Sequence, residues 1–214
     1  MSRPVLTTYD APAPRAVILM LHGGKQHSSM SVDWRSTSWH RSHAMQKAIT
    51  PRAHEHRIST TLLRYRHRGW NDVDSPSPIP DARWALDEIR DRHGDVPVVL
   101  LGHSMGARTA VHVADDPSVV GVVALAPWFE KHDSPHRLTG KHLAAAHGSH
   151  DRITSPRATA HFVRRATGVA ASTELRDMGP VGHYMFKDIP AWNDFAITRA
   201  LAMVEKLSRN RELN

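Results

Sequence analysis

Short apolar runs alternate along this chain with helix-length segments, and this alternation limits the possible fold more than any other feature. The candidate strands are residues 16–21, 59–66, 96–102 and 118–126, with weaker candidates at 142–148 and 171–176. The clearest runs are continuously apolar, as expected for strands that are covered on both faces in a parallel sheet. The sequence therefore predicts about six strands in one buried, mostly parallel sheet.

The segments between these runs carry the signals of helices. Three helices are predicted at residues 81–93, 105–114 and 156–166, and an apolar stripe at helical spacing predicts a fourth along residues 192–207. The third begins behind Ser155, a good N-cap, with Pro156 at its first position. Strand followed by helix along the whole chain predicts an α/β fold, a three-layer sandwich without a lid, in one domain of residues 1–214.

Composition limits the chemistry that this domain can perform. The 214 residues contain no cysteine, which excludes disulfides, thiolate metal sites and a cysteine nucleophile. No apolar run approaches the ~20 residues that span a membrane, and residues 1–15 lack the apolar core of a signal peptide. We therefore expect a cytoplasmic protein whose chemistry comes from serine, histidine, aspartate, glutamate, lysine or tyrosine side chains.

The net charge of +7 is concentrated in one segment. Residues 35–68 hold eight arginines or lysines and one acidic residue, Glu55. The simplest interpretation is a solvated basic face, and attraction of an anionic substrate is an alternative. No nucleic-acid-binding motif accompanies the charge, so no nucleic-acid partner is expected. The role of this segment and the oligomeric state stay open at this stage.

Ser104 lies between two glycines directly after an apolar run, in the sequence Gly102–His103–Ser104–Met105–Gly106. In open α/β sheets, ligands bind at the carboxyl ends of strands, which is where this serine is predicted to lie. The pattern fits the G-x-S-x-G nucleophile elbow, a sharp turn between strand and helix. The glycines leave room for neighbouring backbone, and the following helix offers N–H groups to a developing negative charge. The stretch therefore predicts a nucleophilic serine.

Five motifs, taken in order, resemble the α/β-hydrolase superfamily. They are LMLHGGKQ at 19–26, YRHRGWND at 65–72, GHSMG at 102–106, AHGSHDRITSP at 146–156 and MGPVGHYMF at 178–186. The resemblance implies an oxyanion hole formed by the backbone N–H groups of Gly24 and Met105, with Lys25 as the alternative to Gly24. It also implies that no cofactor or metal is needed.

The resemblance further implies a catalytic triad of Ser104, Asp151 and His183 in the superfamily's order. A serine hydroxyl needs a nearby base to remove its proton, and a carboxylate orients that base. Asp133 and Asp177 remain alternatives for the acid. The flanking Gly182, and a position between the last strand and the last helix, favour His183 among the 17 histidines.

Several residues near these motifs are candidates for the substrate pocket. They are Lys25, Arg68, Trp70, His103 and Trp128. His103 and His22 are interpreted as structural or pocket-lining, and Trp128 fits equally well as a cover for the core. The pairs His40/His43 and His54/His56 have spacings that a metal could use, but no third ligand pattern accompanies them, so no metal is expected.

The loop lengths favour a compact enzyme. About 16 residues separate Ala126 from the next strand, which is too short for a lid domain. The chain is similar to small capless serine esterases and to the dienelactone-hydrolase-like group, although it has a serine where the latter often carry cysteine. The resemblance implies hydrolysis of small carboxylic esters. A thioesterase, amidase or acyltransferase, with a phosphate-bearing thioester such as acyl-CoA as a possible substrate, is the alternative, and a non-catalytic binding protein is a third.

Overall fold

One sheet organises the part of the chain that the computed structural model describes, which is residues 3–33 and 35–212. Its strands are β1 (Val5–Tyr9), β2 (Ala16–Leu21), β3 (Ile58–Arg64), β4 (Val98–His103), β5 (Val119–Leu125), β6 (His142–His147) and β7 (Ser172–Asp177). Their order is β1-β3-β2-β4-β5-β6-β7, and every neighbouring pair is parallel except β1 with β3. The predicted α/β fold with a mostly parallel sheet is confirmed. Of the predicted domain, residues 1, 2, 34, 213 and 214 lie outside the described part.

The seventh strand, β1, was not among the six predicted strands. It forms an edge of the sheet and pairs antiparallel with β3, from Val5 opposite Arg64 to Tyr9 opposite Thr60. Its residues are half-buried or exposed, so it has no continuous apolar run. A strand of this kind gives a weak signal because only its partner strand identifies it.

Helices cover both faces of the sheet. They are α1 (Thr37–Glu55), α2 (Pro78–His93), α3 (Met105–Val113), α4 (Pro156–Ala166) and α5 (Ile189–Glu212). The last four correspond to the predicted helices. Helix α2 begins three residues earlier than predicted because Pro78 and Pro80 lie in its first turn. Proline is tolerated there, since the first N–H groups of a helix have no acceptor within the helix.

Helix α1 was not predicted, and its buried face explains why. Met45, Ile49 and Ala53 are buried on it, but so are several polar side chains, which are those of Arg41, Ser42, Gln46 and Thr50. Gln46 donates hydrogen bonds to the carbonyl oxygens of Thr7 at 2.8 Å and Thr60 at 3.1 Å. These bonds satisfy the buried amide nitrogen of Gln46, but the polar residues interrupt the apolar stripe from which a helix is recognised.

The basic segment 35–68 runs through α1 and β3 and into the loop that follows. Several of its cations pair with carboxylates elsewhere in the chain. The pairs are Arg52–Asp194 at 2.9 Å, Arg66–Asp81 at 2.5 Å and Arg68–Asp33 at 2.7 Å. Part of the positive charge of this segment is therefore neutralised by ion pairs within the protein.

The carboxyl edge of the sheet carries no lid domain in the described chain. Between β5 and β6 the only helical element there is a single 3₁₀ turn, His136–Leu138. None of the described helices combines the length and the apolar composition that crossing a membrane requires.

Candidate active site

Ser104 lies at the junction of β4 and α3, in a strained backbone conformation with φ 55° and ψ −117°. Residues other than glycine rarely adopt positive φ, and such strain persists only where surrounding contacts hold the backbone in place. Here the Ser104 N–H donates to the Leu125 carbonyl at 3.1 Å, and the Ser104 carbonyl accepts from Ala107 at 3.1 Å and Trp128 at 3.2 Å. These bonds fix the turn that presents the hydroxyl.

The two flanking glycines allow backbone segments to approach each other closely. A Cβ atom on Gly102 would lie 2.5 Å from the backbone of Ala107, and one on Gly106 would lie 2.0 Å from the Leu21 carbonyl oxygen. Both glycines therefore have the steric role that the elbow pattern predicts.

Three side chains from separate loops form one hydrogen-bonded chain at this edge. Ser104 Oγ lies 3.0 Å from Nε2 of His183, and Nδ1 of His183 lies 2.8 Å from Oδ2 of Asp151. His183 follows β7, and Asp151 follows β6. All three residues are at most 9% exposed. The structure thus brings together the serine, histidine and aspartate that the motifs suggest.

The two alternative acids lie elsewhere. Asp133 is buried and pairs with Arg108 at 2.9 Å. Asp177 is exposed and accepts a hydrogen bond from the N–H of Gly179 at 2.8 Å. Asp151 is the carboxylate that contacts His183.

Asp151 is ionised because donors surround its carboxylate. Burial opposes ionisation, but the hydrogen bonds from His147 and His183, together with those from the Thr154 and Ile153 N–H groups, outweigh it and hold the pKa of Asp151 far below its usual range. The negative charge requires Nδ1 of His183 to be the protonated nitrogen, which leaves Nε2 free to accept the proton of Ser104.

Two backbone N–H groups are available beside the serine. In the described chain no hydrogen-bond acceptor is assigned to the N–H of Gly24 or Met105, and a Cβ on Gly24 would lie 2.4 Å from the Met105 side chain. The N–H of Lys25, in contrast, donates to the Arg68 carbonyl at 2.7 Å. The Lys25 N–H is thus occupied by a bond that holds the loop, which favours Gly24 over Lys25 as the donor.

His22 and His103 support the loops of the site from below. Nε2 of His103 donates to the His183 carbonyl at 3.0 Å, while Nδ1 of His22 donates to the Gly23 carbonyl at 2.6 Å. Burial lowers the pKa of His103 to about 3 and that of His22 to about 4. Both rings are uncharged near neutral pH, so they act as neutral supports of the site.

The buried histidines predict a loss of stability in weak acid. Their pKa lies below the unfolded value of 6.5, so the unfolded chain binds more protons and stability is lost as the pH falls from 6.5 towards 4. Between pH 7 and pH 5 we expect each histidine to cost about 2 kcal/mol of unfolding free energy. Urea denaturation at pH 7 and pH 5 measures this difference in unfolding free energy, and the His22→Gln variant should lose less stability than the wild type between the two pH values. Equal stability of the wild type at pH 7 and pH 5 would contradict the prediction.

The predicted pocket residues differ in how far they are exposed. Trp70 is only 3% exposed and packs within the core, so its place in a substrate pocket stays a prediction. The Arg108 guanidinium lies between the rings of Trp70 and Trp128, 4.3 Å and 4.6 Å from their centroids. Trp128 is half-buried and covers this cation. Arg68 pairs with Asp33 at 2.7 Å, and Lys25 is exposed.

An exposed aromatic pair follows the histidine, and the sequence reasoning did not single it out. Tyr184 is 51% exposed and Phe186 61%, and their rings stack with centroids 5.8 Å apart. The Tyr184 ring also meets the His183 ring edge-on at 5.4 Å. The two rings therefore form an exposed apolar surface beside His183.

Solved structures with the same fold include several esterases and hydrolases. The esterase Est2 of Thermogutta terrifontis, solved with butyrate bound, superposes with a TM-score of 0.68 at 16% identity over 94% of this chain and 89% of that one. Est1E of Butyrivibrio proteoclasticus, solved with ferulic acid, gives 0.68 at 11% identity over 94% and 96%. An alpha-beta serine hydrolase homologue from Coxiella burnetii gives 0.68 at 15% identity over 92% and 90%. At these identities the likeness shows the fold.

The sequence comparisons give the family. No curated protein sequence matches this chain significantly. The family model of the alpha/beta hydrolase family matches residues 18–209. That range runs from β2 into α5 and includes every motif residue from the Gly24 loop to His183. The chain therefore belongs to the alpha/beta hydrolase family.

Proposed function

We propose that the protein is a serine hydrolase that cleaves small carboxylic esters through an acyl-enzyme intermediate. The observation that carries the proposal is the unbroken hydrogen-bond chain from Ser104 through His183 to Asp151, with contacts of 3.0 Å and 2.8 Å. A structural serine needs no buried histidine and no ionised carboxylate behind it. The strained φ of 55° at Ser104 is also a feature that clusters at functional sites.

The mechanism follows from the positions of the protons. Ser104 Oγ attacks the ester carbonyl carbon while Nε2 of His183 takes its proton. The bond to the alcohol oxygen then breaks, and His183 gives the proton to the departing alcohol. A water molecule attacks the acyl-enzyme, its proton passes to His183 and then to Ser104 Oγ, and the carboxylic acid leaves. Asp151 stabilises the imidazolium in both halves without itself being protonated.

The carbonyl oxygen becomes negatively charged in each tetrahedral intermediate and needs donors. We assign this role to the N–H groups of Gly24 and Met105. Met105 is the first residue of α3, so the positive end of the helix dipole adds to the stabilisation.

Apolar esters of modest size fit the surroundings best. The exposed rings of Tyr184 and Phe186 lie beside the histidine that protonates the leaving alcohol, so an apolar alcohol group can pack on them. The absence of a lid domain between β5 and β6 in the described chain supports a compact, open enzyme similar to the dienelactone-hydrolase-like group.

A phosphate-bearing thioester is the second candidate substrate. A solvent-open cavity of about 490 Å³ lies against the Asp151 loop, and Arg152 and Arg157 line it. Arginine pairs well with phosphate, which would favour an acyl-CoA. The same triad would then transfer the acyl group from sulfur instead of oxygen.

A substrate panel tests the proposal. We expect p-nitrophenyl acetate and butyrate to be hydrolysed with kcat/KM at least ten times that of the matching acyl-CoA, because the exposed apolar surface favours neutral esters. If the acyl-CoA is preferred and its rate falls with added salt, the second candidate replaces the first. The Arg152→Gln variant is the control, since it should lower only the acyl-CoA rate. No turnover of any ester or thioester by folded protein would reject both.

A further inference from the structure

A second buried histidine contacts the acid of the triad. His147 is the last residue of β6, four positions before Asp151, and its ring is 3% exposed. Nε2 of His147 lies 3.0 Å from Oδ2 of Asp151, and Nδ1 of His183 lies 2.8 Å from the same oxygen. One carboxylate oxygen therefore lies between two imidazole rings.

The protons in this cluster can be placed from its hydrogen bonds. Asp151 is ionised and accepts, so Nε2 of His147 must donate. Nδ1 of a neutral His147 then has to accept, and its partner is the hydroxyl of Thr159 on α4, at 2.8 Å. The other acceptor near that hydroxyl, the Ser155 carbonyl, lies farther away at 3.3 Å. Thr159 thus fixes the tautomer that points the His147 proton at Asp151.

The carboxylate of Asp151 has a full set of donors. Oδ1 accepts from the N–H groups of Ile153 and Thr154, at 2.8 Å and 2.9 Å. Oδ2 accepts from His147, from His183 and from Thr154 Oγ1, the last at 2.9 Å. The bond from His147 is therefore one of three hydrogen bonds that Oδ2 accepts. Without the His147 bond, the Asp151 carboxylate is freer to rotate, and its Oδ2 carries more negative charge toward His183.

We propose that His147, with its tautomer set by Thr159, is a positioning residue that holds the Asp151 carboxylate against His183 and withdraws part of its charge. The inference rests on the proposed function, since it assigns a task within the same triad. With this role for His147, the hydrogen-bonded chain behind Ser104 has four residues, Thr159–His147–Asp151–His183. The sequence motifs suggest only the last two of them.

The charge that His147 withdraws should be visible in the pH profile. Asp151 is faced by the His147 and His183 rings. His183 is in turn faced by the rings of His103 and Tyr184, and Arg41 acts electrostatically on His103. Without the His147 bond, Asp151 stabilises the imidazolium form of the base more strongly. The acid limb of the kcat/KM profile should then move to higher pH.

Three variants test the inference on esters that the wild type hydrolyses. For His147→Leu we expect kcat to fall about 10–100-fold with KM within about twofold, and the acid limb to rise by about half a pH unit. His147→Gln keeps an N–H donor and should retain activity within about fivefold. Thr159→Val should give an intermediate loss of about 3–10-fold, because the tautomer is no longer fixed. The control is Thr50→Val, another buried, hydrogen-bonded threonine on a helix, which should match the wild type.

A measurement without substrate separates this inference from the proposed function. In proton NMR of histidine-¹⁵N-labelled protein we expect two strongly downfield imidazole N–H signals, one from each ring on Asp151. His147→Gln should remove one and shift the other, whereas an uncoupled structural role would leave the His183 signal in place. If folded His147→Leu keeps the wild-type kcat, pH profile and His183 signal, the inference is overturned, whatever the ester panel shows.

Discussion

Ser104→Ala is expected to lower kcat/KM for p-nitrophenyl butyrate by about 10⁵-fold or more while the protein stays folded. In the proposed mechanism the hydroxyl oxygen of Ser104 is the attacking atom, and neither His183 nor Asp151 forms an acyl-enzyme in its place. What remains is the catalysis that the oxyanion donors and substrate binding give to direct attack by water. The hydroxyl makes one side-chain contact, with His183 at 3.0 Å, so its loss should change the unfolding free energy by no more than about 1 kcal/mol.

Covalent labelling gives the second measurement. A fluorophosphonate should label the wild type and leave Ser104→Ala unlabelled, as read by intact-protein mass. Ser149→Ala is the matched control, because this exposed serine lies after β6 at the same edge of the sheet and bonds only to the Gly179 carbonyl. It should label like the wild type. Labelling of Ser104→Ala at the wild-type rate would show that another residue is the nucleophile.

The strands and the elbow could be predicted because their determinants are local. Burial on both faces requires unbroken apolar runs, so β2, β4 and β5 are visible in the sequence. The steric reason for Gly102 is local, since a Cβ there would meet the backbone of Ala107, whereas the reason for Gly106 is the close approach of Leu21 at the end of β2, and only the G-x-S-x-G pattern indicates it in the sequence. Helix α1 could not be predicted, because Gln46 and Arg41 are buried on partners that come from other parts of the chain, the Thr60 and Met185 carbonyls.

The same distinction separates the parts of the site. Motif position is enough to suggest Ser104 and His183, but contacts between distant residues are not encoded in any short pattern. Arg108 and Asp133 are 25 residues apart, and neither segment carries a pattern that predicts a buried ion pair packed against tryptophan rings. His147 lay within a quoted motif, yet its contact with Asp151 depends on how the loop after β6 turns back.

Gly106→Ala is expected to destabilise the protein by about 3 kcal/mol or more, at the upper end of the cost of overpacking. The added Cβ would lie 2.0 Å from the Leu21 carbonyl oxygen and 2.7 Å from that of His22. Both are backbone atoms at the end of β2, so no side-chain rotation relieves the clash. Either β2 moves, which weakens its pairing with β3 and β4, or α3 moves and takes the Met105 N–H and the elbow with it.

Both responses couple stability to activity, which distinguishes this position from an ordinary core site. We expect the midpoint of thermal unfolding to fall by about 6–12 °C and the remaining folded protein to lose esterase activity, since the displaced strand leads into Gly24. Gly168→Ala is the control, because a Cβ there meets no heavy atom within 4 Å, and it should match the wild type in both measurements. A Gly106→Ala protein with wild-type melting and turnover would mean that β2 and α3 separate at little cost, and the close approach of their backbones would then not be what holds Ser104 in its strained turn.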